Sequence, residues 1–282
     1  MAEKTNSRRI VLLGKTGSGK SSLANTLFGG NTFKVSHSAK SGTNECVSET
    51  KTICDRDVQL VDVPGFFDTN PRSTDLSPEI MKCVVECAPG PHAFLLLLKI
   101  ERYTLLEQMS VDLMLKYFSA EALKYTTVVF TCGDNLPEGM KIKDWIKDNE
   151  DLKKLVQKCG GCCHVFDNKY WNNSQDEYRN NQYQLQQLLQ TIDRTVEKNG
   201  GYYTNEMLQE VKDKIQEEAK KIKESSPEEF SSEQLQQKAT ESVLSLLKQN
   251  KVPTAVLLGV LIGGLGGLVL DVWLVLHVLG SV

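Results

Sequence analysis

Directly behind the apolar run Arg9–Leu13 stands Gly14-Lys15-Thr16-Gly17-Ser18-Gly19-Lys20-Ser21, the complete pattern GxxxxGK[ST]. Few eight-residue stretches constrain a fold more. Its glycines let successive backbone N–H groups turn inward around phosphate oxygens, and the helix that follows offers its positive N-terminus to the anion. The chain must therefore enter the loop from a strand and leave it as a helix. In this geometry Gly14, Lys15, Thr16, Gly17, Ser18, Gly19 and Ser22 line the phosphates. Lys20 reaches the β- and γ-phosphates, and the Ser21 hydroxyl sits on Mg²⁺. A chance glycine-rich strand–helix turn is the plain alternative, and eight matching residues in the right context weigh against it.

The remaining text agrees with an α/β fold. From residue 8 to about 200, short apolar runs alternate with helical patterns, which predicts a mostly parallel six-stranded sheet with helices on both faces. The expected strands are Arg9–Leu13, Val47–Cys54, Gln59–Val63, His92–Ile100, Thr126–Cys132 and Cys162–Phe166. A net charge of −3 gives no basic patch for nucleic acid, so no nucleic-acid partner is expected. Eight cysteines in 282 residues lack the density of a disulfide scaffold. The opening MAEKTNSRR has no apolar signal region, which sets the expectation of a reduced, cytosolic compartment.

A phosphate loop alone leaves ATP and GTP, hydrolase and kinase, undecided. Asp62-Val63-Pro64-Gly65 closes the run Gln59–Val63. An Asp at a strand end can hold Mg²⁺ through water, and the Gly65 N–H beside it can sense the γ-phosphate. Thr43, in the polar stretch Ser36–Glu45, is the expected second protein contact to the metal, so Ser21, Thr43 and Asp62 form the metal set; an exposed loop threonine is its plain reading. For the base, Thr131-Cys132-Gly133-Asp134 follows the fifth strand. The Asp134 carboxylate can accept from guanine N1–H and N2–H₂, donors that adenine lacks as a pair. The usual lysine of the [NT]KxD element is replaced by Cys132, and a loop-capping role for Asp134 stands as the alternative. Asn168, just past the last strand, is the second expected base contact.

Together these segments resemble the immunity-associated GTPases (GIMAP), a septin-like and Toc-like branch of P-loop GTPases. The resemblance rests on GKTGSGKSS (14–22), Thr43, VDVPGFFD (61–68), FTCGDNL (130–136) and VFDNK (165–169), and above all on PGPHAFLLLLKIERYT (89–104). It implies GTP/GDP and Mg²⁺ as ligands and a GTP-dependent dimer or oligomer, with itself or with related family members, meeting across the nucleotide face. Ras-like switches carry a water-orienting glutamine after the DxxG glycine. Phe66 stands there in this chain and cannot serve. The resemblance implies instead that Arg102, donated across the dimer, completes hydrolysis; such a finger raises rates by about 10³–10⁵. A solvated Arg102 pairing with Glu107 is the plain alternative. The matching functional alternative is a scaffold that holds GTP without hydrolysing it.

Two segments follow the GTPase stretch (8–200). Residues 201–250 carry apolar stripes at helical spacing: Met207, Val211, Ile215, Ala219 and Ile222, then Leu235, Ala239, Val243 and Leu247. They are expected to pack on the GTPase core, with Ser226-Pro227-Glu228-Glu229 opening the second helix. Residues 252–282 read as a membrane anchor. Val252 to Leu270 holds no charge, and 19 residues span about 28 Å as a helix, against about 30 Å of hydrocarbon. One span, or a hairpin bent at Gly263–Gly267, both fit. The expectation is attachment at the cytosolic face of an internal membrane. The cluster Cys159-Gly160-Gly161-Cys162-Cys163-His164 lacks the second CxxC of a structural zinc site and is read as small packing thiols.

Overall fold

The computed structural model describes residues 7–35, 46–63, 78–225 and 230–249. Strands β1 (Ser7–Leu13), β2 (Val47–Ile53), β3 (Arg56–Asp62), β4 (Ala93–Lys99), β5 (Thr126–Thr131) and β6 (Cys163–Val165) form one sheet in the order β2-β3-β1-β4-β5-β6. All six expected strands are present, and every pairing is parallel except β2 with β3. AFLLLL of β4 (before Lys99) and TTVVFT of β5 are buried throughout, because a parallel sheet covered on both faces leaves no wet side. β2 is different. Its VSETKTI is mostly exposed, as suits an antiparallel edge strand blunted by charge. Cys54 and Asp55 join it to β3, both at positive φ (48° and 60°), the turn chemistry a two-residue hairpin demands.

Eight α-helices lie among the described residues: α1 (Lys20–Phe28), α2 (Pro78–Cys87), α3 (Leu105–Phe118), α4 (Ile142–Trp145), α5 (Glu150–Lys158), α6 (Asn181–Asn199), α7 (Glu206–Ser225) and α8 (Ser232–Gln249). One core joins alternate residues of the sheet (Ile10, Leu12, Leu60, Leu95, Leu97, Val129) to Leu23 and Leu27 of α1 and to Leu185, Leu188 and Ile192 of α6. On the opposite face Phe94 meets Phe118 at 4.9 Å and Phe130 meets Trp145 at 5.8 Å. The period of two along each strand dictates this division.

The described residues separate into two units. The first holds the sheet with α1 and α3 to α6; the second holds α2, α7 and α8. Within the second, α7 and α8 pack on each other and on α2, a partner that came unforeseen from inside residues 8–200. Buried Val211 and Ile215 of α7 and Ala239, Val243 and Leu247 of α8 follow the expected stripes, to which Leu208 is added. Ser242 Oγ donates to Glu218 across the two helices at 2.9 Å. α8 opens at Ser232, later than expected. Ser231 and Gln234 exchange reciprocal cap bonds of 3.0 and 3.2 Å there. The expected opening at Ser226–Glu229 lies outside the described residues, as does the apolar stretch from Val252. No helix among the described residues is long and apolar enough to cross a membrane.

The box at 89–104 has a structural function. Arg9 donates its N–H to His92 Nδ1 at 2.9 Å, and the His92 N–H donates back to the Arg9 carbonyl at 2.8 Å. The Arg9 guanidinium donates to the Gly90 carbonyl at 2.8 Å and stacks 5.2 Å from the Tyr202 ring centre. Tyr203 N–H donates to Pro91 at 2.9 Å, and its ring lies 5.6 Å from Phe94. At Gly90, with φ +155°, a Cβ would stand 1.7 Å from the Tyr203 carbonyl oxygen, so only glycine admits this approach. The box thus seats the segment after α6 against β1. Burial, helped by Arg9 and Arg8, pushes the His92 imidazole down to about 3.

Candidate functional site

The sheet order reverses at β1, whose carboxyl end opens into the phosphate loop, the position where open α/β sheets bind ligands. Register assembles the rest. Leu12 of β1 pairs with Asp62 of β3, Lys99 of β4 with Thr131 of β5, and Phe130 of β5 with Val165 of β6. Five strand ends (β1, β3, β4, β5 and β6) therefore deliver Gly14, Asp62, the 100–104 segment, Asp134 and Asn168 to one edge.

At the phosphate end, Lys20 is buried and its ammonium donates to the carbonyls of Gly14 (2.8 Å) and Lys15 (3.2 Å). Ser21 is the second residue of α1, and its hydroxyl donates to Asp62 Oδ2 at 2.5 Å. Asp62 Oδ1 is buried without a hydrogen-bond partner. Burial raises the Asp62 carboxyl above the usual range, with Ser21 and Lys20 pulling it back. Two hard oxygen ligands beside a buried ammonium, one oxygen left over, fit a small divalent cation such as Mg²⁺. Thr16 and Gly17 are exposed at the crest of the loop, while Ser18 is buried and Ser22 lies one turn into the helix. Thr43, Gly65 and Phe66 lie outside the described residues.

Lys15 is anchored by two carboxylates. Its side chain turns away from the loop and pairs with Glu101 at 2.8 Å and, more closely, with Glu107. Only its backbone is left to line a phosphate. Burial works against the Lys15 charge, but the two carboxylates prevail and raise it. Glu107 accordingly does not pair with Arg102. Arg102 is exposed at the rim, as are Leu105 (83%) and Leu106 (58%) at the start of α3.

At the base end, Thr131 Oγ donates to the Ser18 carbonyl at 2.8 Å, bracing the phosphate loop from β5. Asp134 is exposed beside the buried Asp167. Burial and then the neighbouring Asp167 raise its carboxyl. Asp167, which sequence reading passed over, organises the whole loop. Its oxygens accept from the backbone N–H of Asp134 (3.3 Å), Lys169 (3.0 Å) and, at closer range, Tyr170. Its place directly after a strand and before Asn168 is the one local sign of that role. Asn168 accepts from Thr26 Oγ at 2.9 Å, leaving its amide nitrogen beside Gly19. At Gly133 a Cβ would come within 2.7 Å of the Trp171 ring, so that glycine lets Trp171 cover the loop. The cysteine cluster takes no part here. Cys159 and Cys163 are buried, and burial pushes their thiols up to about 12 and about 11, as packing residues require.

Comparison with known proteins bears on this geometry. The AIG1 family pattern matches residues 8–226. Over 212 residues the chain is 35% identical to immune-associated nucleotide-binding protein 10 of Arabidopsis thaliana, covering 73% of this chain and 45% of that protein. It is 33% identical over 195 residues to GTPase IMAP family member 8 of Homo sapiens, covering 69% of this chain and 28% of that one. The chain thus spans less than half the length of these two relatives. Among solved structures, Toc33 of Arabidopsis thaliana in complex with GDP and Mg²⁺ superposes with a TM-score of 0.56 at 17% identity, covering 71% of this chain and 88% of Toc33. A structure from work on atToc33 and psToc159, in which dimerization is important for the GTPase activity of these chloroplast translocon components, superposes with a TM-score of 0.51 at 18% identity, covering 67% and 83%. At such identities the structural likeness is one of fold.

Proposed function

Because the chain belongs to the AIG1 family of GIMAP- and Toc-like P-loop GTPases, we propose that it is a guanine-nucleotide switch whose GTP form pairs with a second copy of itself, or a related family member, at a membrane. The observation that carries the nucleotide reading is the Ser21–Asp62 pair beside the buried Lys20 ammonium at the mouth of the phosphate loop. Ser21, Asp62 and the expected Thr43 would hold Mg²⁺, whose charge would offset that of the phosphates. Lys20 and the loop N–H groups hold the phosphates in line.

Guanine selection follows from the donor pattern at the base end. Asp134 accepts from N1–H and N2–H₂. The Asn168 carbonyl is already engaged by Thr26, so its NH₂ faces the base and donates to O6. Adenine carries an N6 donor at that position, and two donors meet. ATP binding as tight as GTP binding would overturn this assignment.

Pairing is supported by the rim, where exposed Arg102, Leu105 and Leu106 stand next to the phosphate loop. Apolar and guanidinium groups together on an exposed edge are the composition of an interface centre. The second reading, a GTP-holding scaffold, draws on Phe66 in place of a water-orienting glutamine. Turnover by the detergent-solubilised full chain at rising concentration decides. Specific activity is expected to climb with concentration while a GTP analogue doubles the particle mass, and Arg102→Ala is expected to lower turnover by about 10³-fold. Flat, negligible turnover with a doubled mass would establish the scaffold instead.

Attachment rests on the charge-free run 252–270 flanked by Lys248 and Lys251. Alkaline carbonate extraction is expected to leave the full chain in the pellet and to release a chain ending at Asn250. Equal release of both would refute the anchor.

A further inference from the structure

Between β4 and α3 the chain crosses the edge of the phosphate loop, and almost every residue of that crossing is tied down. Ile100 N–H donates to the Thr131 carbonyl at 3.0 Å and Glu101 N–H to Lys99 at 2.9 Å. The Glu101 carboxylate holds the Lys15 ammonium at 2.8 Å. Tyr103 donates its hydroxyl to Gln108 at 3.1 Å. Thr104 donates its N–H to Glu107 Oε2 at 2.9 Å and its hydroxyl to the same oxygen at closer range. The other oxygen of Glu107 lies against Lys15. Arg102 stands between these ties, exposed.

Glu107 is unusual in this set because it is only 3% exposed, in a protein whose carboxylates are mostly at the surface. A buried carboxylate is costly unless paired and hydrogen-bonded, and its two oxygens face two different parts of the site. One holds the cap of α3; the other holds a lysine of the phosphate loop. The charge therefore joins the loop to the segment carrying Arg102, 86 residues away from Lys15 along the chain at its Glu101 end.

We infer that Glu107 is a positioning residue: by clamping Lys15 and Thr104 it fixes the 101–104 segment against the phosphate loop, so that Arg102 is presented in one orientation to the nucleotide of a second copy. This rests on the dimer reading of the function. It assigns Glu107 no contact with substrate. The effect arises because a misplacement of about 1 Å in a group that acts on a transferring phosphate costs about 10²-fold in rate.

The test is a double-mutant cycle on the full chain, with Glu107→Gln, Arg102→Ala and the pair. Glu107→Gln keeps the side chain's shape and leaves Lys15 its Glu101 partner, so the fold is expected to survive. Turnover at high protein concentration is expected to fall about 10²-fold, while affinity for a fluorescent GTP analogue at low concentration changes less than about threefold. In the Arg102→Ala background the same change is expected to cost less than about threefold, because the residue it positions is gone. Full additivity, or unchanged turnover in Glu107→Gln, overturns the inference. An Arg102→Ala chain that turns over GTP normally overturns the dimer reading itself, and the inference with it. Should Glu107→Gln lower the melting temperature sharply, Glu101→Gln, half-exposed and on the same lysine, replaces it in the cycle: non-additivity with Arg102→Ala supports the clamp, and additivity refutes it.

Discussion

Lys20→Ala is expected to weaken guanine-nucleotide binding by about 10²–10³-fold, measured by titrating a fluorescent GDP analogue. The Lys20 ammonium is buried at the loop and is held by the carbonyls of Gly14 and Lys15, within reach of any anion the loop encloses. A hydrogen bond to a charged group contributes about 1.5–3 kcal/mol. Contacts to two phosphates amount to about 3–4 kcal/mol, and each 1.4 kcal/mol is a factor of about ten. Alanine also removes the two loop hydrogen bonds, so the melting temperature in the absence of nucleotide is measured alongside. Binding within tenfold of the native value would show that the anion sits elsewhere.

Mild acid is expected to destabilise the fold by about 5 kcal/mol between pH 7 and pH 4.5, a third to all of a typical domain's stability. His92 and His164 are buried and neutral; burial is the main cause, pushing them down to about 3 and about 4. In the unfolded chain an imidazole takes up its proton near pH 6.5. Both folded values are depressed, so the unfolded state gains protons first as the pH falls below 6.5. Stability is lost from there down to about pH 4 and pH 3, and nothing changes above. At pH 4.5 each histidine contributes roughly 2–3 kcal/mol of that loss. Glu107, held low by Lys15 and Thr104 against the cost of its burial, loses stability in the same direction. Asp62, Asp134 and Glu210, raised chiefly by burial, oppose it in part. Urea unfolding at the two pH values measures the difference. His92→Asn keeps an acceptor near the position of Nδ1 and should remove about half of the dependence. An unchanged slope in that variant would show that the acid sensitivity lies in the carboxylates.

The strands and the phosphate loop were legible because their signals are local. A continuous apolar run must be a strand with both faces covered, and GxxxxGKS after such a run can only turn into a helix around an anion. Asp62, Asp134 and Asn168 were legible for a related reason: each ends a strand, and parallel strands bring their carboxyl ends to one edge. The Lys15 side-chain pairing was not legible, because its position in the pattern says where its backbone goes and nothing about its side chain. Asp167 was overlooked because its oxygens serve backbone N–H groups, of its own loop and of the loop after β5, and such contacts leave no residue-type signature.

What the sequence alone determined is the class of the protein: a P-loop fold with six strands, a helical extension and an apolar run from Val252 to Leu270. Tertiary structure decided the pairings that assemble the sheet and the loops at its carboxyl edge. Arg9 meets His92 across 83 residues, Lys15 meets Glu101 across 86, and Thr131 reaches Ser18 across 113. None of these follows from spacing. They exist because the strand order places β4 beside β1 and β5 beside β4, and only that order turns distant side chains into neighbours. The box at 89–104 shows the difference most clearly. As text it was a family signature; folded, it seats Tyr202 and Tyr203 at one end, and at the other holds Arg102 at the rim of the phosphate loop.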